Sequence, residues 1–279
     1  MTVQEKQQNL ERYLTALGSV AIAYSGGVDS TLLLTEAHKC LRDKCAAITV
    51  VSPSLPEDEA RAAEDFCRKH GIRHVSLHVN ELDIPGFKEN PVNRCYLCKR
   101  GLFESVRAEA EKLGLSYIAE GSNMDDLNDY RPGLRAIREM GVKSPLREAG
   151  LSKAEIREIS KIMGLPTWSK PSAACLASRF AYGEEITEKK LTMVGLAENW
   201  LRGKGFTQIR VRIHGGDENG KGSIARIEVL PREQELLMSC RKDACAAFRK
   251  IGFSYITMDL QGYRTGSMNE ALGLKPEDA

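Results

Sequence analysis

The sequence predicts an α/β fold: a parallel, doubly wound sheet covered by helices on both faces, with a second, smaller α+β domain. Three observations carry that expectation. Short apolar runs alternate with helix-patterned segments through the first half of the chain, and such alternation builds parallel sheets. The run Val20-Ala21-Ile22-Ala23-Tyr24 leads into Ser25-Gly26-Gly27-Val28-Asp29-Ser30 and then Thr31-Leu32-Leu33-Leu34, the order of buried strand, glycine turn and helix start. Later the order becomes α-β-β-α-β, the pattern of a separate mixed domain. With 279 residues there is room for two cores of about 100 to 150 residues each. The boundary falls between 1–183 and 184–279.

The elements follow in order. After the glycine turn and its helix, the β-branched run 46–51 is a second strand. A helix over 57–70 carries Ala60, Ala63, Phe66 and Cys67 at helical spacing and ends at Gly71. A strand over 74–79, a long helix over 96–113 closed by Gly114, a strand over 116–119 and a polar loop over 120–131 come next. Ser152-Lys153-Ala154-Glu155 is a capping box that opens a helix stopping at Gly164-Leu165-Pro166. Residues 167–183 include several small residues and show no clear periodicity, and read as a functional linker. The second domain begins with a helix over 187–203. Strands over 208–214 and 224–229 flank a glycine-rich turn, and a helix over 232–251 and a strand over 255–258 complete it.

The glycine turn is built to hold phosphate. Adjacent glycines permit a tight turn, and the open helix end presents unpaired N–H groups to an anion. Hydroxyls of Ser25, Ser30 and Thr31 add donors, and Asp29 is a carboxylate where a phosphate-bridging Mg²⁺ would sit. No Gly-Lys-Ser/Thr follows, so this is not a Walker A loop. The plain alternative is an ordinary strand-to-helix turn.

Eight cysteines in a chain without a secretory signal read as thiols or ligands rather than disulfides. Cys40, Cys45, Cys67, Cys240 and Cys245 lie in or beside apolar segments and read as small core residues. Cys95-Tyr96-Leu97-Cys98 places two thiols three apart at a helix start, on one face, where the helix end favours thiolate. A redox pair, an inert pair, or two ligands of a three-thiolate cluster completed by Cys175 all remain open. Cys175 lies among small residues with Arg179 four positions on. Arg210 and Arg212 alternate on one strand, and Arg226 and Glu228 on the next. Such a face suits a phosphate, or is a cross-strand ion-pair ladder, and Glu198 on the preceding helix is a candidate to join the patch.

Ser25-Gly26-Gly27-Val28-Asp29-Ser30 resembles the PP-loop of ATP pyrophosphatases, which cleave ATP between the α and β phosphates. Further stretches narrow the resemblance: Asn93-Arg94-Cys95-Tyr96-Leu97-Cys98-Lys99, Glu120-Gly121-Ser122-Asn123, Tyr130-Arg131-Pro132-Gly133-Leu134, Gly141 to Leu146, Lys170 to Arg179, Ala225 to Val229 and Asp259 to Arg264. With them the chain resembles the LarE-type sulfurtransferases over nearly its whole length. The resemblance implies an adenine nucleotide alpha hydrolase-like sheet and ATP with Mg²⁺ held by Ser25, Gly26, Gly27, Asp29 and Ser30. It implies adenylation of a carboxylate of pyridinium-3,5-biscarboxylic acid mononucleotide, then replacement of AMP by sulfur, in nickel-pincer nucleotide cofactor biosynthesis. Arg210, Arg212 and Glu228 match the region that cradles the substrate phosphate. Cys95, Cys98 and Cys175 match members that hold a [4Fe–4S] cluster; members with only the cysteine matching Cys175 sacrifice its sulfur. The family's ring-like hexamers imply a homo-oligomer.

Composition narrows the classes. A net charge of +2 gives no broad basic field for nucleic acid. No apolar run approaches the roughly 20 residues of a membrane span, and the polar N-terminus has no secretory core, so the expected location is cytoplasmic. A PP-loop tRNA thiolase, an amidating ligase and a non-catalytic adenine-nucleotide sensor are the rival readings. The acidic residues Asp125, Asp126 and Asp129 are given no role.

Overall fold

The computed structural model describes residues 1–128, 132–171, 174–264 and 267–268. The chain divides into two compact units, Met1–Glu81 with Cys95–Ala173, and Leu82–Arg94 with Ala174–Ala279. The second therefore takes in residues 174–183, which carry Cys175, and a short excursion, Leu82–Arg94, made between strand and helix of the first. Sequence patterning gave no sign of that excursion.

The first unit opens with α1 (Val3–Leu17), capped by a reciprocal Thr2–Glu5 box. There follow β1 (Val20–Ala23), α2 (Val28–Leu41), β2 (Cys45–Val51), α3 (Glu57–His70), β3 (Arg73–His78), α4 (Arg94–Lys112), β4 (Tyr117–Ala119), α5 (Pro132–Glu139), α6 (Pro145–Glu148) and α7 (Lys153–Ile162). Arg94, at the head of α4, is assigned to the second unit. All four strands are parallel, in the order β3-β2-β1-β4. Because side chains alternate across a strand, Val20 and Ile22 enter one core while Ala21 enters the other. The first core takes Leu10 and Leu14 of α1, Leu32 and Leu33 of α2, and Ile156 and Ile159 of α7. The second takes Phe103, Val106 and Ala110 of α4 and Ile137 of α5. Helices cover both faces, as the alternation predicted.

The chain runs outward from β1 to β2 and β3, then returns to place β4 on the other side of β1. The order reverses at β1, and in doubly wound sheets the crevice at such a reversal, beyond the carboxyl ends of the strands, is where ligands bind. The glycine loop leaves β1 at that end.

The second unit contains α8 (Glu188–Gly203), β5 (Ile209–His214), β6 (Ile224–Val229), α9 (Gln234–Ser239), α10 (Arg241–Ile251) and β7 (Tyr255–Met258). β6 pairs antiparallel with β5 and parallel with β7. Ile209, Val211, Ile213, Ala225, Ile227 and Val229 are buried on one face, with Leu201 of α8 and Phe248 of α10 also in the core. The single helix expected over 232–251 is a turn and two helices that meet at Cys240, whose backbone sits at φ −100° and ψ 15°. The apolar spacing could not signal that break, because Leu237, Ala244 and Phe248 keep one helical face through it.

Three helices, α1, α5 and α6, were not expected. Among the described residues no helix is long and apolar enough to cross a membrane.

Candidate functional site

The glycine loop has the geometry its sequence requires. Gly26 sits at φ +67°, the left-handed region that glycine enters without steric cost. Gly27 is the N-cap of α2, and no side chain caps that helix, so its first N–H groups are left for a ligand. Ser30 closes the loop on itself. Its hydroxyl accepts the Ser25 N–H at 3.3 Å, lies 3.1 Å from the Ser25 hydroxyl and donates to the Gly27 carbonyl at 3.2 Å. Thr31 corrects the sequence reading: it is fully buried, and its hydroxyl lies 3.4 Å from Tyr24 Oη rather than in the loop. Burial of Tyr24 pushes its phenol up to about 12.

Asp29 faces two partners that patterning did not assign. Asn123 donates to Asp29 Oδ1 at 3.1 Å, and the Lys153 ammonium pairs with Oδ2. Lys153 is the first residue of α7, where a cation opposes the helix dipole. That misplaced charge was the available signal. Asn123 is itself held in a small acidic turn, its N–H donating to Asp126 at 2.9 Å and its side-chain oxygen accepting the Asp125 N–H at 2.9 Å. Asp125 accepts the Lys153 N–H at 2.8 Å. These two aspartates thus build the scaffold around Asp29, while Asp129, with Tyr130 and Arg131, lies outside the described residues. Gly121 is needed for close approach: a Cβ there would lie 3.0 Å from the Ser30 nitrogen.

A second lysine, also missed, acts on the loop backbone. Lys170 donates to the Gly26 carbonyl at 3.0 Å and pairs with Glu59 in the first turn of α3. All four members of the two pairs keep 21–28% of their side-chain surface exposed.

The cysteines separate by environment. Cys45 and Cys67 are buried, and burial pushes both thiols up to about 12, which makes them inert core residues as expected. Cys40 and Cys240 are half-buried, and Cys245 is exposed on α10, which corrects its reading as a core residue. Cys95 and Cys98 are half-buried on the first turn of α4 in the first unit, at chelating spacing. α5 packs closely there, since a Cβ on Gly133 would lie 2.7 Å from Lys99 Cδ and 3.4 Å from the Cys95 carbonyl oxygen. Among the described residues no three His, Cys, Asp or Glu are gathered as a metal centre would need.

Cys175 belongs to the second unit and is exposed. Its neighbours Ser172 and Ala173 lie outside the described residues. Arg179 serves the backbone beside this thiol. Its Nη1 donates to the carbonyls of Ala174 and Cys175 at 3.0 and 3.2 Å. Its Nε and Nη2 form a bidentate pair, both at 2.8 Å, with fully buried Glu198. Burial pushes the Glu198 carboxyl up, but Arg179, the Val211 N–H and the charge of Arg210 outweigh it and hold the group below the usual carboxylate range.

On the polar face of the second sheet, Arg210 stands opposite Glu228 and Arg212 opposite Arg226. Arg212 is spent within the protein: it grips Glu228 bidentately at 3.1 and 2.9 Å and donates to the Ser178 carbonyl and the Ser267 hydroxyl. Arg226 pairs with Glu228 and Asp259, each at 3.2 Å. Arg210 stacks over the Tyr263 ring at 5.2 Å, and burial and the nearby Arg179 charge lower its proton affinity. A ladder of ion pairs is present, and its arginines outnumber its carboxylates.

Comparison with known proteins adds to this geometry. Residues 7–90, spanning β1 to β3 and the glycine loop, match the asparagine synthase family model. The chain is 43% identical over 272 residues to the uncharacterized protein slr1717 of Synechocystis, covering 97% of this chain and 99% of that one. It is 32% identical over 272 residues to the pyridinium-3,5-bisthiocarboxylic acid mononucleotide synthase of Lactiplantibacillus plantarum, covering 97% and 96%. A glutamine-hydrolyzing GMP synthase chain of Thermoplasma volcanium is 26% identical over 193 residues, 63% of this chain and 61% of that one.

Proposed function

The chain belongs to the LarE-type family of PP-loop proteins, that of the pyridinium-3,5-bisthiocarboxylic acid mononucleotide synthases, and we propose that it is an ATP-dependent sulfurtransferase that converts a carboxylate of pyridinium-3,5-biscarboxylic acid mononucleotide to a thiocarboxylate. The uncapped start of α2 behind the Gly26-Gly27 turn, at the reversal of the sheet, carries this reading. Ser25, Gly26, Gly27 and Ser30 would hold the phosphates, and Asp29 is the carboxylate suited to their Mg²⁺.

The substrate carboxylate attacks the α-phosphorus, the bond to the β-phosphate oxygen breaks, and pyrophosphate leaves. Sulfur then attacks the acyl carbon, and AMP departs with the electron pair of the broken C–O bond. Fixed N–H dipoles and the ammonium of Lys153 supply charge stabilisation. The surplus of arginine around Arg210, Arg212 and Glu228 favours a phosphate-bearing substrate. Cys95, Cys98 and Cys175 would hold the [4Fe–4S] cluster, which when bound supplies sulfide for repeated turnover. The alternative is that Cys175 gives up its own sulfur; its exposure favours that reading.

Iron and acid-labile sulfide in anaerobically reconstituted wild type and Cys95→Ser, beside pyrophosphate release from ATP with the biscarboxylate, test both levels. About four irons per chain, lost in the variant, are expected for a three-thiolate cluster. Iron in neither protein would make Cys175 the donor. No substrate-dependent pyrophosphate would sink the adenylating reading itself.

A further inference from the structure

We propose that Lys170 is a positioning residue that pins the Gly26–Gly27 peptide in the orientation that binds phosphate. This rests on the nucleotide reading of the loop. No described peptide bond is cis, and in a trans peptide the C=O and the following N–H point in opposite directions. Lys170 takes the Gly26 carbonyl at 3.0 Å, so the Gly27 N–H is turned away from it, alongside the other free N–H groups at the start of α2. A peptide between two glycines can otherwise flip at small steric cost. The flipped form would present a carbonyl oxygen to an anion instead of an N–H, exchanging attraction for repulsion.

Lys170 is itself held for the task. Its backbone N–H donates to the Thr167 carbonyl at 3.0 Å, and Arg157 of α7 donates to the Lys170 and Trp168 carbonyls at 2.8 and 2.6 Å. Glu59 fixes the ammonium end. Glu59 also lies against the loop, since its carbonyl oxygen and Oε2 would be 3.8 and 3.9 Å from a Cβ on Gly26. Root and tip of the side chain are thus both anchored, and the cation between them acts on one peptide.

A lysine that contacted phosphate directly would have Glu59 as its competitor, whereas a pin has Glu59 as its anchor. The two roles predict opposite signs for one variant. ATP, AMP and adenosine affinities are measured for wild type, Lys170→Met, Lys170→Arg and Glu59→Gln. The pin predicts that Lys170→Met weakens ATP and AMP about tenfold, the worth of one oriented charge-assisted donor. Adenosine is unchanged, Lys170→Arg recovers part of the loss, and Glu59→Gln weakens ATP as well. Tighter ATP binding by Glu59→Gln would overturn the pin in favour of direct contact. Equal losses for adenosine would reduce Lys170 to general support of the fold and overturn it too. A wild type that binds no ATP would remove the nucleotide reading, whereas a binding wild type with an indifferent Lys170→Met removes the pin alone.

Discussion

Around the glycine loop the charged side chains are partly exposed, and Lys153 and Lys170 each hold a single carboxylate. On the polar face of the second unit Arg179, Arg212, Glu198 and Glu228 are buried, and the two arginines are each held by four or more donated bonds. The contrast lies in what each arrangement can give up. A partly exposed pair such as Lys153–Asp29 can be rearranged at small cost, because a pair of this kind contributes only about 0–1 kcal/mol. A buried bidentate arginine cannot, because its carboxylate would be left desolvated without a partner. The arginine face is a fixed positive framework, with Arg179, Arg210, Arg212, Arg226 and Arg264 set against Glu198, Glu228 and Asp259.

The largest effect that separates these regions comes from removing one carboxylate from each. Glu198→Ala leaves Arg179 buried without its partner and removes the acceptor of the Val211 N–H. It should destabilise the second unit by about 3–5 kcal/mol. Glu59→Ala should cost no more than about 1 kcal/mol. The two tryptophans, Trp168 in the first unit and Trp200 in the second, allow urea unfolding to be followed unit by unit in Trp→Phe backgrounds. Equal losses from both substitutions would erase the distinction between the two regions.

A smaller effect tests whether the loop side is tuned for ligand rather than stability. Gly121→Ala places a methyl 3.0 Å from the Ser30 nitrogen and 3.2 Å from Asp29 Cβ, so the first turn of α2 must shift. Overpacking of this kind costs about 1–3 kcal/mol, and ATP affinity should fall with it. In the second unit, Gly262→Ala meets the Val229 carbonyl oxygen at 2.7 Å and a φ of +73°. That variant should lose stability while a calorimetric titration with ATP is unchanged. Undiminished ATP affinity in Gly121→Ala would mean that this turn of α2 is not part of the phosphate site.

The same contrast explains what the sequence disclosed. Strands and loop were legible because buried parallel strands are continuous apolar runs and Gly26 must take positive φ. α1 was hidden because only Leu10 and Leu14 of its fifteen residues are buried, so its polar surface dominates the pattern. Lys170 and Asn123 were illegible as site residues, and Lys153 showed only its misplaced charge, because they meet the loop from 94 to 144 positions away, a distance no local spacing encodes. Arg210, Arg212 and Glu228 were found by strand alternation, yet alternation could not reveal that Arg212 and Glu228 would satisfy each other. The excursion Leu82–Arg94 escaped notice because its fixed points lie far along the chain: Gly183 and Ile186 N–H donate to the Asn90 and Lys88 carbonyls, and the Asn90 and Arg94 side chains donate to the Ala181 and Ala177 carbonyls.

The smallest expected effect is on acid stability, and it falls in two windows. Burial lowers His74, which also bonds Thr49 at 2.9 Å, while burial and then the Arg226 charge lower His214. Each folded pKa thus lies below the unfolded value of about 6.5. The unfolded chain takes its proton first, so stability is complete above pH ~6.5 and is lost as pH falls through the folded values. One such histidine lies in each unit, so both tryptophans should report this shallow loss, and His74→Gln should remove it for Trp168 alone. The second window opens below about pH 4.5. There Glu155, lowered by its Lys6 hydrogen bond, acts in the first unit and Glu198 in the second. Each contributes stability above its unfolded pKa that fades as pH falls through the folded one. Glu198 is fully buried whereas Glu155 keeps 20% of its side-chain surface, so the Trp200 transition should decline more steeply. A steeper decline at Trp168 would place the tightly bound charge in the first unit and reverse the comparison.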